Sequence, residues 1–132
     1  MTNLAHVIDG YRFLMQLGYD EAAKICLTHS FALKDIQTYV GTADVSSEDY
    51  LEIGYLISNM EYDDYDRLIQ LCDSIALPVG VVDLTTRMDD VEKRYGYYPK
   101  NKKNRHFEIK SYFEDIMRKD LYEVVNSEKE TN

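Results

Sequence analysis

Residues 6–31 read HVIDGYRFLMQLGYDEAAKICLTHSF, and the spacing of their apolar side chains decides the fold class. Val7, Ile8, Tyr11, Leu14 and Met15 recur at three- and four-residue steps, the helix period, so a helix is predicted over about Leu4–Leu17. Gly18 stands just past its end, where a left-handed backbone is cheap only for glycine. Asp20 is a fitting N-cap for a second helix carrying Ala22, Ala23, Ile25 and Cys26. His29 follows Ala22 by seven residues and Ile25 by four, which places it on the same side. So short a connection makes the two helices antiparallel neighbours, with His6 opening one and His29 closing the other.

Working outward, residues 30–46 (SFALKDIQTYVGTADVS) form an irregular stretch with Gly41 as its breaker, long enough to line a site. Ser46 and Asp49 resemble a capping box for a third helix, whose apolar side is Tyr50, Leu51, Ile53, Gly54 and Ile57. Residues 59–63 break it. A fourth helix is expected over Asp64–Leu77, with Ile69, Cys72 and Ala76 as its buried stripe and Asp73 on or beside it. Pro78 and Gly80 end it, and the run Val79–Val82 is too brief to establish a sheet. Asp83 or Thr85 caps a fifth helix with Met88, Val91 and Tyr95 on its apolar face, and Gly96 stops it. Tyr97, Tyr98 and Pro99 read as a turn. KNKKNR, residues 100–105, continues as a basic turn that holds an exposed His106 with no assigned role. A last helical stretch from Arg105 carries Phe107, Phe113, Ile116, Met117, Leu121, Val124 and Val125. The tail SEKETN, residues 127–132, is expected to be disordered. The expectation is one all-α domain over residues 1–126.

A chain of 132 residues with 45% apolar and 30% charged residues has enough interior for a core and is not of disordered composition. Its formal charge of −9 argues against nucleic acid as a partner, because a like-signed field repels phosphates. No apolar run approaches the roughly 20 residues of a membrane span. The start, MTNLAHVIDG, lacks the basic and apolar regions of a signal peptide. Cys26 and Cys72 fall on apolar faces and read as reduced packing residues. A cytoplasmic protein is expected.

His6, His29 and Asp73 all fall where the apolar periodicity places the interior. An ionised carboxylate is expensive there unless it meets a metal, a cation or several donors. Two histidines and an aspartate from separate helices suggest part of a metal site. The bland readings are a satisfied core histidine for His29, a solvated His6, and an ion pair or cap contact for Asp73. No phosphate-cradling glycine motif, CxxC or HExxH occurs, and Ser30 lacks a triad arrangement.

HVIDGYRFLMQLGYDEAAKICLTHSF, LCDSIAL and GVVDLTTRMDDVEKRYG together resemble the later part of an HD-domain protein, over about His6–Val125. That group comprises helical, metal-dependent phosphohydrolases acting on phosphate esters, commonly those of nucleotides. The resemblance implies an HD-like helical bundle. It matches Asp73 to the family's late aspartate, and His6 and His29 to the additional histidines of members with a second metal. It implies a divalent metal cation as cofactor and a small phosphorylated substrate, with Lys34 able to reach the phosphate, although a solvated lysine is the plainer reading.

The adjacent His-Asp pair that names the family is absent. His6, His29 and His106 are the only histidines, and none precedes an aspartate. The chain starts where a complete relative would be leaving its His-Asp helix, so an N-terminally truncated domain, inactive by itself, is expected. The alternative is a noncatalytic helical binding or regulatory module that keeps the scaffold. Helices missing from the start would leave apolar surface uncovered, which implies a homo-oligomer.

Overall fold

The computed structural model describes the backbone of residues 3–131 and the side chains of residues 3–126. Seven helices and one minimal β-hairpin lie within that range, so the all-α expectation holds. The chain divides into two compact units, residues 1–70 and 71–132.

The first unit is built on a helical hairpin, α1 (Leu4–Gln16) and α2 (Asp20–Thr28). Its corner closes as the glycine predicts. Gly18 takes φ +81°, its N–H donates to Met15 O at 3.1 Å, and the Tyr19 N–H donates to Leu14 O at 2.9 Å. This paired motif satisfies carbonyls that a helix end otherwise leaves orphaned. Asp20 is the first helical residue rather than the cap. Tyr19 holds the cap position without a side-chain bond.

The segment after α2 is irregular, as expected, but it is pinned. A short 3-10 turn, Ile36–Thr38, is capped by Asp35, whose carboxylate accepts from the Gln37 N–H at 3.0 Å. Thr42 O then accepts from the Leu4 N–H and Asp44 Oδ1 from the Ala5 N–H, both at 2.9 Å. This loop therefore supplies the acceptors that the start of α1 needs. α3 (Ser47–Asn59) begins at the predicted cap, with Ser46 Oγ accepting from the Asp49 N–H. Leu4, Val7, Ile8, Leu27, Phe31, Tyr39, Ile53 and Ile57 form one buried cluster.

α4 (Asp64–Ser74) is shorter than expected because the chain turns directly into a hairpin. β1 (Ala76–Leu77) and β2 (Gly80–Val81) pair antiparallel, Ala76 with Val81 and Leu77 with Gly80. The short apolar run is thus half of a real hairpin.

In the second unit, α5 (Leu84–Tyr95) is capped by Asp83, which accepts from the Thr86 N–H at 2.8 Å, and is stopped by Gly96 at φ +86°. α6 (Lys100–Met117) begins five residues earlier than predicted. KNKKNR is its first turn and a half, not a loop. α7 (Leu121–Thr131) follows a left-handed Arg118. Leu71, Ile75, Leu84, Met88, Val91, Ile109 and Leu121 are buried here. The expectation of a disordered tail concerns residues 127–132, whose side chains lie outside the described residues.

Candidate functional site

The residues expected to bind metal are not arranged as the periodicity implied. His6 is exposed near the start of α1, His29 is half-buried at the C-cap of α2, and Asp73 is exposed on α4. The expectation that all three are interior is therefore corrected. The two histidines belong to the first unit and Asp73 to the second.

The His29 ring is occupied by its own helix end. Nδ1 lies 2.7 Å from Cys26 O, which it can reach only as a donor, and Nε2 lies 3.2 Å from Ser30 Oγ. The ring thus acts as a C-terminal plug for α2, satisfying a carbonyl that the helix would leave open. Lys34 is exposed, with Nζ 4.8 Å from the centroid of the Tyr62 ring, a cation–π contact. Among the described residues, no three His, Cys, Asp or Glu side chains are grouped so that they could hold a metal ion. Cys26 is half-buried, but Cys72 is exposed rather than packed.

No family model, curated protein or solved structure matches the chain. The resemblance to the HD group rests on the quoted residues alone.

Two polar clusters went unread in the sequence. In the first unit, the buried Asp66 carboxylate accepts from Thr28 Oγ1 at 2.7 Å and from the Asp63 N–H at 2.8 Å, and pairs with Lys24 Nζ at 2.8 Å. Asp63 returns the contact, its Oδ1 accepting from the Tyr65 and Asp66 N–H groups. The pair is a reciprocal cap on α4, with aspartates in both roles. Beside it lies a cleft of about 250 Å³ lined by Glu21, Lys24, Ile25, Asp63, Tyr65 and Asp66.

The second cluster is in the second unit and is mainly cationic. Lys102 and His106, one turn apart on α6, are only 8% and 6% exposed. Lys102 Nζ lies 5.4 Å from the centroid of the Tyr98 ring. Burial pulls the Lys102 ammonium down to about 8, with Arg87 pushing the same way and Asp73 opposing. Burial also takes the His106 imidazolium down to about 3, helped by Lys102, Arg87 and Arg105. The Tyr98 phenol rises to about 12, again chiefly through burial, with Asp73 adding to it against Arg87. Asp73 is thus the carboxylate whose field reaches Lys102 and Tyr98. His106 Nδ1 is buried without a hydrogen-bond partner. This places His106 inside a helix, not in an exposed turn. The signal was present in the spacing: Lys102, His106 and Ile109 stand at i, i+4 and i+7, the buried face of α6.

Proposed function

We propose that this chain is a noncatalytic helical binding module, related in scaffold to the later helices of HD-domain proteins, and that its partner includes a second copy of itself. One observation carries the reading. The first unit completes an apolar core and still presents large apolar side chains outward. Phe13 and Leu17 on the α1 side, Tyr19 at the corner, and Leu51 and Tyr55 on α3 are each more than half exposed. Each i, i+4 pair makes a stripe along its helix. Arg12 lies between the two helices, with Nη2 2.7 Å from Asp49 Oδ1 and 2.6 Å from Glu52 Oε2. An apolar surface of this kind marks an association site more often than a free face.

Light scattering across a dilution series tests this. Self-association is expected, and it should weaken in Leu51→Ser, Tyr55→Ser. A wild-type monomer at every concentration sinks the reading.

The second reading is an HD-type metal-dependent phosphohydrolase for phosphate esters, such as those of nucleotides. It rests on the resemblance of residues 6–31 and of LCDSIAL to the later part of an HD domain, with Asp73 at the position of the late aspartate. Elemental analysis separates the two. Near-stoichiometric metal that is lost in His29→Ala, Asp73→Ala would justify a phosphatase screen, and only activity in that screen would favour the second reading; no metal in either protein counts against it.

A further inference from the structure

We propose that Lys102 and His106, on the buried face of α6 in the second unit, form a binding site for a phosphate group. The argument begins from two buried side chains that the protein leaves incompletely served. An ammonium removed from water is costly unless an anion pairs with it. Lys102 is only 8% exposed, and its nearby aromatic partner is the Tyr98 ring, which carries no formal charge. The carboxylate that acts on it is Asp73, which is itself exposed and shares its field with Tyr98.

The second side chain is His106, 94% removed from solvent on the same helical face, with Nδ1 lacking a partner. Buried polar atoms in native proteins are nearly always paired, and an orphan of this kind calls for a missing group. On α6 the two side chains are i, i+4 neighbours, their Cβ atoms about 6 Å apart. Arg87 on α5 adds a second cation to the same field, while its Nε is held by Ala76 O at 2.9 Å.

The backbone contributes in the same direction. α6 is 18 residues long and starts at Pro99, which has no capping side chain; Lys102 stands in its first turn, with its own N–H met by Asn101 Oδ1 at 2.9 Å. The partial positive charge of that helix end favours an anion close by. A phosphate has the charge to answer Lys102 and Arg87 and enough oxygens to accept from His106 at the same time. Water could satisfy the imidazole but would leave the ammonium uncompensated. This site lies apart from the apolar stripes of the first unit and stands independently of their role.

The test is an NMR titration of the full chain with inorganic phosphate at neutral pH, read on the histidine ring signals against potassium chloride of equal ionic strength. His106 should shift saturably with phosphate and remain still with chloride, while His6 stays unmoved. Lys102→Met should weaken phosphate binding roughly tenfold or more, the worth of a charge-assisted hydrogen bond. The wild-type titration is decisive even if that variant fails to fold. An unmoved His106, or equal shifts with chloride and phosphate, overturns the proposal.

Discussion

Lys24 Nζ on α2 lies 2.8 Å from Oδ2 of Asp66 on α4, an ion pair whose acidic partner is wholly buried. Burial pulls the Lys24 ammonium down, but the Asp66 hydrogen bond and the charges of Asp66 and Asp63 leave it raised overall. Asp66 also holds Thr28 Oγ1 and the Asp63 N–H, so one carboxylate joins the end of α2 to the start of α4. Removing one side of such a pair strands the other groups. Asp66→Ala is expected to cost about 3 kcal/mol in urea unfolding. Arg12→Ala removes two shorter-range but solvent-exposed contacts to Asp49 and Glu52 and should cost far less. Equal losses would show that burial is not what gives the Asp66 pair its weight.

That same aspartate explains what the sequence could and could not convey. Capping residues were legible because their logic is local: Gly18, Ser46, Asp83 and Gly96 all act within a few residues of themselves. The period of α4 was legible too, but its phase was not. The apolar stripe Ile69, Cys72, Ala76 is exposed, and the interior side carries Asp66, Gln70, Leu71, Ser74 and Ile75. Polar residues occupy that side because tertiary partners answer them. Asp66 meets Thr28 and Lys24, and Gln70 Nε2 donates to Thr28 O. Counting apolar residues therefore chose the wrong face, and Asp73 with it. On α6 the basic start hid a buried face for the related reason that Lys102 and His106 are polar. The resemblance that singled out His6, His29 and Asp73 rests on short stretches of sequence, whereas burial depends on partners far away in the chain.

The hairpin offers a packing test. A Cβ added at Gly10 on α1 would lie 2.5 Å from Cys26 Sγ on α2, closer than atoms of that kind can approach. Gly10→Ala should gain a little helix propensity and lose more through overpacking, a net cost of about 1–2 kcal/mol. Cys26→Ala removes the obstructing sulfur, so the double variant should recover most of the loss. Denaturant titration of the four members of the cycle measures the coupling. Additive effects would mean that the two helices part easily and that Gly10 is not needed for their close approach.

Lys102 predicts an alkaline dependence. Its folded value, about 8, lies below the 10.5 of a free lysine, so the unfolded chain binds more protons between those limits. Stability should therefore rise with pH from about 8 to 10, by up to about 3 kcal/mol for a shift of this size. The window closes near 10, where Tyr98, raised to about 12, begins to act in the opposite sense. Lys102→Met should abolish the rise and leave the protein more stable at neutral pH. Thermal unfolding of both proteins across that range checks the slope, and a flat wild-type profile counts against a buried ammonium.

His106 predicts the acid limb, and with an earlier onset than carboxylates alone would give. Its imidazole, held at about 3 by burial and by the nearby cations, titrates at 6.5 when the chain unfolds. Between these values the unfolded state binds the extra proton, so the stabilising contribution is complete above 6.5 and is lost as pH falls toward 3. The full difference is on the order of 5 kcal/mol. Asp63 and Asp83, both held low in the folded chain by backbone N–H groups, add to the loss only below the ordinary carboxylate value of 3.8. A wild-type stability profile should thus begin to fall near pH 6, while His106→Gln should stay level until carboxylates protonate. Phosphate at the proposed site would raise the His106 value by adding an acceptor and a negative charge beside it. The early acid loss should accordingly shrink in phosphate and not in chloride, which ties the pH profile to the same side chain that reports binding.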